Sequence, residues 1–294
     1  MINLNLSPGL HLDVDDAHYH ADQICEQLTL SRGTLVKLVD DCPLQAWAEH
    51  ARLGNVASVK VTKKMDFGSM AHAMILGVGG EIEVFEADNW MTKAAKEFRD
   101  GCRAAGRIPA LTHEYERARN VAQGFDDELM RFGIGSIWGA GKSEVVCIWD
   151  ESADTRCRCK FDRLMIDEES KMAWIFDLKV GEVTHPKQLD RHIYNQKYHV
   201  QREFYTRGLV KVRPDLAGRV KWTNIFMQDD YPFKAVPAQM NGEFEVLAKS
   251  FVDRGLERWA HCRQTDSWPS YTNEVCIIAP PPWAIRDELG ESFS

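Results

Sequence analysis

An α/β or α+β fold built on one mixed sheet follows from three features of this sequence. Three strand-like runs follow one another in the middle of the chain, between about residues 144 and 180. Stretches with helical spacing come before and after them. A fourth strand-like run, Val220-Lys-Trp-Thr-Asn-Ile-Phe-Met227, follows a long helical stretch. No repeat and no low-complexity linker divides the 294 residues. We therefore read residues 1–294 as one domain. Its helical amino-terminal part covers about 1–131, its core about 140–230, and its carboxy-terminal helix and tail about 240–294.

Residues 1–18 are acidic and read as irregular. Ser31 is a good N-cap, so Leu30–Val39 reads as a helix, and Pro43 suits the first turn of a second helix over 43–52. Phe67–Leu76 is a short apolar helix carrying one titratable side chain, His72, with Gly68 one turn before it. Residues 91–131 read as two polar helical runs, and the glycine-rich stretch Gly133–Gly141 reads as a loop. That loop has no phosphate-loop spacing, because Gly141-Lys-Ser143 lacks the upstream glycine and leads into a strand.

The strands follow at Glu144–Trp149, Thr155–Ile166 and Lys171–Val180, separated by polar turns, with antiparallel pairing the simplest arrangement. A single helix is expected over 187–210, and another over 242–263, where Phe244, Leu247, Phe251, Leu256 and Trp259 fall at core spacing. The tail Ala279-Pro-Pro-Pro-Trp283 is expected to be extended.

Composition bounds the function. Hydrophobic content is 44% and charged content 27%, as in ordinary globular domains. No run reaches the ~18 apolar residues of a membrane span. Met1-Ile-Asn-Leu-Asn-Leu-Ser7 has no basic region followed by an apolar one, so the expectation is a cytoplasmic protein without a signal peptide. The eight cysteines are then expected to be reduced, with Cys147, Cys157 and Cys159 as small core residues. The absence of any C-x2-C argues against an iron–sulfur cluster. A net charge of −8 argues against a polyanion partner, but metal-bound carboxylates and local basic stripes weaken that argument.

The chemistry centres on Lys171-Met-Ala-Trp-Ile-Phe-Asp-Leu-Lys179. Strand alternation puts Asp177 and Lys179 on one face at the end of a buried strand. An acid and an ammonium there contribute little to a core. They suit a site for a divalent metal and a negatively charged reacting group. Asp162, fifteen positions earlier, supplies a second acid. Asp162 and Asp177, with the Leu178 backbone carbonyl, offer hard oxygen ligands for Mg²⁺ or Mn²⁺. Lys179 is placed to position or deprotonate a water, or to stabilise a phosphorane. On the next helical run Tyr194, Tyr198, Gln201 and Tyr205 share one stripe by their offsets. Basic residues including Lys197 and Arg202 surround them and could follow a phosphate backbone.

These motifs, in this order, resemble the PD-(D/E)xK nucleases of the RecB/RecE branch. More narrowly they resemble the phage- and prophage-encoded exonuclease VIII (RecE-type) family. Gly68-x-x-x-His72, Glu144, Asp162, Asp177-Leu-Lys179 and Gln201-x-x-x-Tyr205 stand in the family's order. The likeness extends outward to Tyr19-His20, Ser31-Arg-Gly-Thr-Leu35 and Trp268-Pro-Ser-Tyr271. The resemblance implies a restriction-endonuclease-like core, with a central mixed sheet flanked by helices. It makes His72 a metal ligand beside Asp162, Asp177 and the Leu178 carbonyl, with Lys179, Gln201 and Tyr205 as catalytic groups. Glu144 and Tyr198 are additional candidates. Phe161 stands where the family has proline, at a residue expected to shape a turn.

The activity implied is Mg²⁺-dependent hydrolysis of DNA from duplex ends, 5′→3′, making single strands for recombination. A RecT-like single-strand annealing partner and a homo-oligomeric ring are implied with it. Competing readings are a RecB-like single-strand or flap nuclease, an endonuclease, a non-catalytic DNA-binding protein on a nuclease fold, and a small-molecule hydrolase.

Overall fold

A computed structural model describes residues 5–55, 63–181 and 183–289. The first four residues, part of the stretch read as irregular, lie outside them. The elements run β1 (Gly9–His11), α1 (Asp16–His20), β2 (Thr29–Ser31), α2 (Arg32–Asp40), α3 (Pro43–Glu49) and α4 (Lys63–Leu76). Next are β3 (Ile82–Phe85), α5 (Lys93–Ala104), β4 (Ile108–Leu111), α6 (Thr112–Arg131) and α7 (Gly135–Ala140). The central strands are β5 (Lys142–Ser152), β6 (Thr155–Asp167) and β7 (Met172–Val180). They are followed by α8 (Pro186–Asn195), α9 (Tyr198–Val212), β8 (Val220–Met227), β9 (Ala235–Ala238), α10 (Gly242–Thr265) and α11 (Pro282–Leu289).

The main sheet has the order β1-β5-β6-β7-β8-β9, with β2 pairing β6. The β5–β6–β7 meander is antiparallel as expected, and β8 joins β7 in parallel, so the sheet is mixed. Helices cover both faces. On one, α2, α9 and α10 bury Leu35, Phe204 and Trp259 against Trp149, Phe161, Ile175 and Trp222. On the other, α4, α6 and α7 bury Ala71, Phe125 and Trp138 against Phe176, Leu178 and Ile225. Alternation along β7 serves both layers, since Ile175 faces the first and Phe176 the second. Each such large side chain contributes ~1.5–3 kcal/mol on burial. Cys147, Cys157 and Cys159 are buried free thiols, as expected of small core residues.

Several expectations are corrected. The helix expected over 187–210 is two helices, because Lys197 takes a left-handed backbone (φ 57°) between α8 and α9. Neither glycine nor proline marks that break. Arg32 stabilises it from elsewhere in the chain, donating to the carbonyl oxygens of Gln196 and, at 2.9 Å, Lys197. The stretch 133–141 contains the helix α7, which Trp138 anchors in the core. Between 82 and 111 a small parallel pair, β3–β4, was not foreseen. Its strands are four residues each, too short to show a period. The described part of residues 1–18 contains β1, paired to β5, and the start of α1. The expected extended proline tail is cut short: no helix or strand covers residues 279–281, but Pro282 begins α11, where a missing N–H costs nothing. Phe161 makes no turn: it lies inside the continuous strand β6, buried edge-to-face on Tyr205 at 5.7 Å.

Candidate active site

The site lies where the sheet forks. The β6–β7 ladder ends at the pair Arg163–Phe176, so Asp162 and Asp177, next in register, are unpaired by backbone. β7 continues alongside β8 as far as Val180–Met227. The Leu178 N–H left without a strand partner donates to Asp162 Oδ2 at 2.8 Å. A second irregularity sits at the same level of β5. The ladder runs from Ser143–Arg163 to Val145–Phe161 and skips Glu144, whose backbone is left-handed with φ 53°. A non-glycine residue there costs on the order of 1–3 kcal/mol, and such strain persists where surrounding structure holds it. The in–out alternation of β6 also changes phase at this point. Phe161 and Leu164, three residues apart, are buried in the same layer. Side chains from both faces of the sheet therefore meet at one gap.

That gap is a cavity of about 540 Å³ whose lining includes His72, Glu144, Lys160, Asp162, Asp177, Lys179 and Gln201. Donor atoms of His72, Glu144 and Asp162 all lie within 4.8 Å of one another. His72 projects from α4, and its Nε2 lies 3.0 Å from the Leu178 carbonyl oxygen. Gly68, one turn earlier, lines the same cavity, and a side chain there would enter open space. Asp177 is 2% exposed and fully engaged. Oδ1 accepts from Gln201 Nε2 at 2.5 Å. Oδ2 accepts from Asn224 Nδ2 at 2.8 Å and lies 2.7 Å from Lys179 Nζ. Burial pushes the Asp177 carboxyl above the usual carboxylate range, and the Lys179 ammonium opposes that shift. The Lys179 ammonium also sits 4.7 Å from the centre of the Tyr198 ring.

The donor set suits a hard divalent cation: one imidazole, carboxylates and a backbone carbonyl converge on one small volume. Glu144 belongs to the compact trio. Asp177 stands beside it, with its oxygens taken by Gln201, Asn224 and Lys179.

Other expected site residues fall elsewhere. Tyr205 lies one turn further along α9, packed on Phe161 and Trp222, and lines a neighbouring cleft with Ser31, His50 and Arg158. Burial holds its hydroxyl well above the usual phenol range. Tyr194 is on α8 and stacks on His199, so it leaves the stripe that Tyr198, Gln201 and Tyr205 keep. Lys197 pairs with Asp40 at 3.3 Å and Arg202 with Glu245 at 3.1 Å; neither lines the cavity.

Two site residues escaped the sequence reading. Asn224 is the direct register partner of Asp177. Its only sequence signal is a lone amide in an apolar strand. Lys160 precedes Asp162 by two residues, a spacing that strand alternation makes visible. Its Nζ bridges Glu144 and Asp16, the latter at 2.5 Å.

A forked mixed sheet carrying two acids and a lysine at the fork, with helices on both faces, defines a restriction-endonuclease-like, PD-(D/E)xK-type fold. The chain belongs to the family described as PDDEXK-like domain of unknown function (DUF3799), matched over residues 33–279. Among solved structures, that of a "putative exonuclease" from Eubacterium rectale superposes with a TM-score of 0.59 at 12% identity. The match covers 95% of this chain and 100% of that one. No curated protein matches the sequence. Among the described residues no helix is long and apolar enough to cross a membrane.

Proposed function

We propose that this chain is a metal-dependent DNA exonuclease that hydrolyses phosphodiester bonds from duplex ends, 5′→3′, leaving single-stranded DNA for recombination. The observation carrying the reading is the convergence of His72, Glu144 and Asp162 beside the Asp177–Lys179 pair in one cavity. Family membership and the name of the Eubacterium rectale relative agree with a nuclease. The RecE-type motif order favours duplex ends, an annealing-protein partner and a ring of identical subunits.

Mg²⁺, with Mn²⁺ as a substitute, would be held by His72, Asp162, Glu144 or Asp177, and the Leu178 carbonyl. It would polarise the phosphoryl group and acidify a bound water. The chain's own groups do the rest. Gln201 and Asn224 keep Asp177 oriented. Lys179, anchored between Asp177 and Tyr198, presents an ammonium where negative charge builds on the phosphorus oxygens. Tyr205 acts from beneath, keeping α9 on the sheet through Phe161 and Trp222.

The test is time-resolved digestion of linear duplex labelled at either 5′ or 3′ ends, with Mg²⁺ and a closed circular control. Early release of the 5′ label, with the circle intact, is expected. Cutting of the circle would replace the exonuclease reading with an endonuclease. Asp177→Ala and Lys179→Ala should each abolish digestion and still unfold cooperatively. Undiminished activity in either sinks the assignment of this cavity.

A further inference from the structure

Each of two acids in the cavity has its own lysine. Asp177 is paired with Lys179, two residues along the same strand. Glu144 is paired with Lys160, which reaches it from the adjacent strand. The Lys160 side chain is only 15% exposed and is held at three places. Its ammonium contacts Glu144, lies 2.5 Å from Asp16 at the start of α1, and stands 5.6 Å from the centre of the Tyr19 ring. An ammonium has three donors, so loss of one partner frees one donor without loosening the others. The Glu144 carboxylate is in turn within 4.8 Å of donor atoms on His72 and Asp162.

We propose that Lys160 is a second functional lysine of this site: a positioning residue that serves as internal counter-ion to Glu144 and is handed to a DNA phosphate when a divalent cation claims that carboxylate. The inference rests on the metal-site reading above. Its physical basis is competition. A divalent ion and an ammonium are alternative counter-charges for one partly buried carboxylate, and a cation beside a metal site weakens metal binding. The ion pair with Lys160 also tethers the left-handed glutamate within the strand. Once released, the ammonium still rests on Asp16 and lines the same cavity as Lys179. Phosphate oxygens are the acceptors it would meet there in a DNA complex.

The experiment is a Mn²⁺ titration followed by thermal unfolding of the full chain, beside steady-state digestion of linear duplex. Lys160→Met is expected to bind Mn²⁺ tighter by roughly fivefold, because the ion no longer has to displace an ammonium from Glu144. It should also raise KM for DNA by a similar factor, with kcat changed less. Lys160→Arg should restore both values toward wild type. In a Glu144→Gln background, the gain from Lys160→Met should be much smaller, because the shared carboxylate charge is gone and only through-space repulsion remains. Unchanged or weaker Mn²⁺ binding in Lys160→Met overturns the competition. So does a gain of undiminished size in Glu144→Gln. Tighter binding with unaltered KM overturns the hand-over to DNA. A wild-type protein showing no Mn²⁺-dependent stabilisation refutes the metal site itself, and the role of Lys160 with it.

Discussion

Asn224 is the residue whose loss tests the architecture of the fork most directly. It is fully buried and makes two hydrogen bonds. Its Nδ2 donates to Asp177 Oδ2 at 2.8 Å, and its Oδ1 accepts from the Trp222 indole N–H at 2.9 Å. Asn224→Ala removes a bond to a buried acid, which costs about 1.5–3 kcal/mol when the acceptor is charged. It also strands the indole N–H of Trp222, a buried residue, for a further cost of about 1–3 kcal/mol. The sum is about 2.5–6 kcal/mol, a large part of a domain's stability.

Urea unfolding at neutral pH in EDTA measures this without any contribution from bound metal. A double-mutant cycle with Asp177→Asn separates the terms. The Asp177 part should shrink when the carboxylate is neutralised, and the Trp222 part should remain. A loss below about 1 kcal/mol, or a penalty indifferent to Asp177, would falsify the claim that Asn224 holds the acid. Activity should fall as well, since Asp177 would rest on Gln201 and Lys179 alone.

Three further outcomes follow from packing, thiols and buried histidines. Gly208→Ala would place a methyl 2.6 Å from Trp149 Cζ3, so α9 must shift on the sheet. The overpacking cost of ~1–3 kcal/mol outweighs a helix-propensity gain of ~1 kcal/mol, and an urea midpoint above wild type would contradict it. Only Cys276 of the eight cysteines is exposed, and burial pushes the Cys157 and Cys159 thiols well up. Ellman's reagent should find one fast thiol in native protein and eight after denaturation; two fast thiols would be inconsistent with this core. Burial holds His50 and His199 below the ordinary imidazole range. The unfolded chain therefore takes up protons first, so their contribution is complete above pH ~6.5 and is lost as pH falls below it. Urea midpoints from pH 7.5 to 5 should decline, and less steeply in His50→Gln; the same slope in both proteins would argue against this assignment.

Periodicity and residue type determined the mixed α/β architecture, the antiparallel three-strand meander, the fourth strand over 220–227 and the long helix begun at residue 242. These depend on local hydrophobic spacing, which a strand or helix carries in its own residues. Motif order likewise singled out His72, Asp162, Asp177, Lys179 and Gln201, and all five line one cavity. Tertiary structure decided what depends on distant partners. The break at Lys197 is stabilised by Arg32, 165 residues away in sequence, and it removed Tyr194 from the site stripe. Lys197 and Arg202 found carboxylate partners on other elements. The short strands β3 and β4 make sense only as a pair. Asn224 and Lys160 became site residues through register and through the fork. A sequence names the acids and the lysine, but only the point where β7 parts from β6 shows which side chains from opposite faces of the sheet can meet.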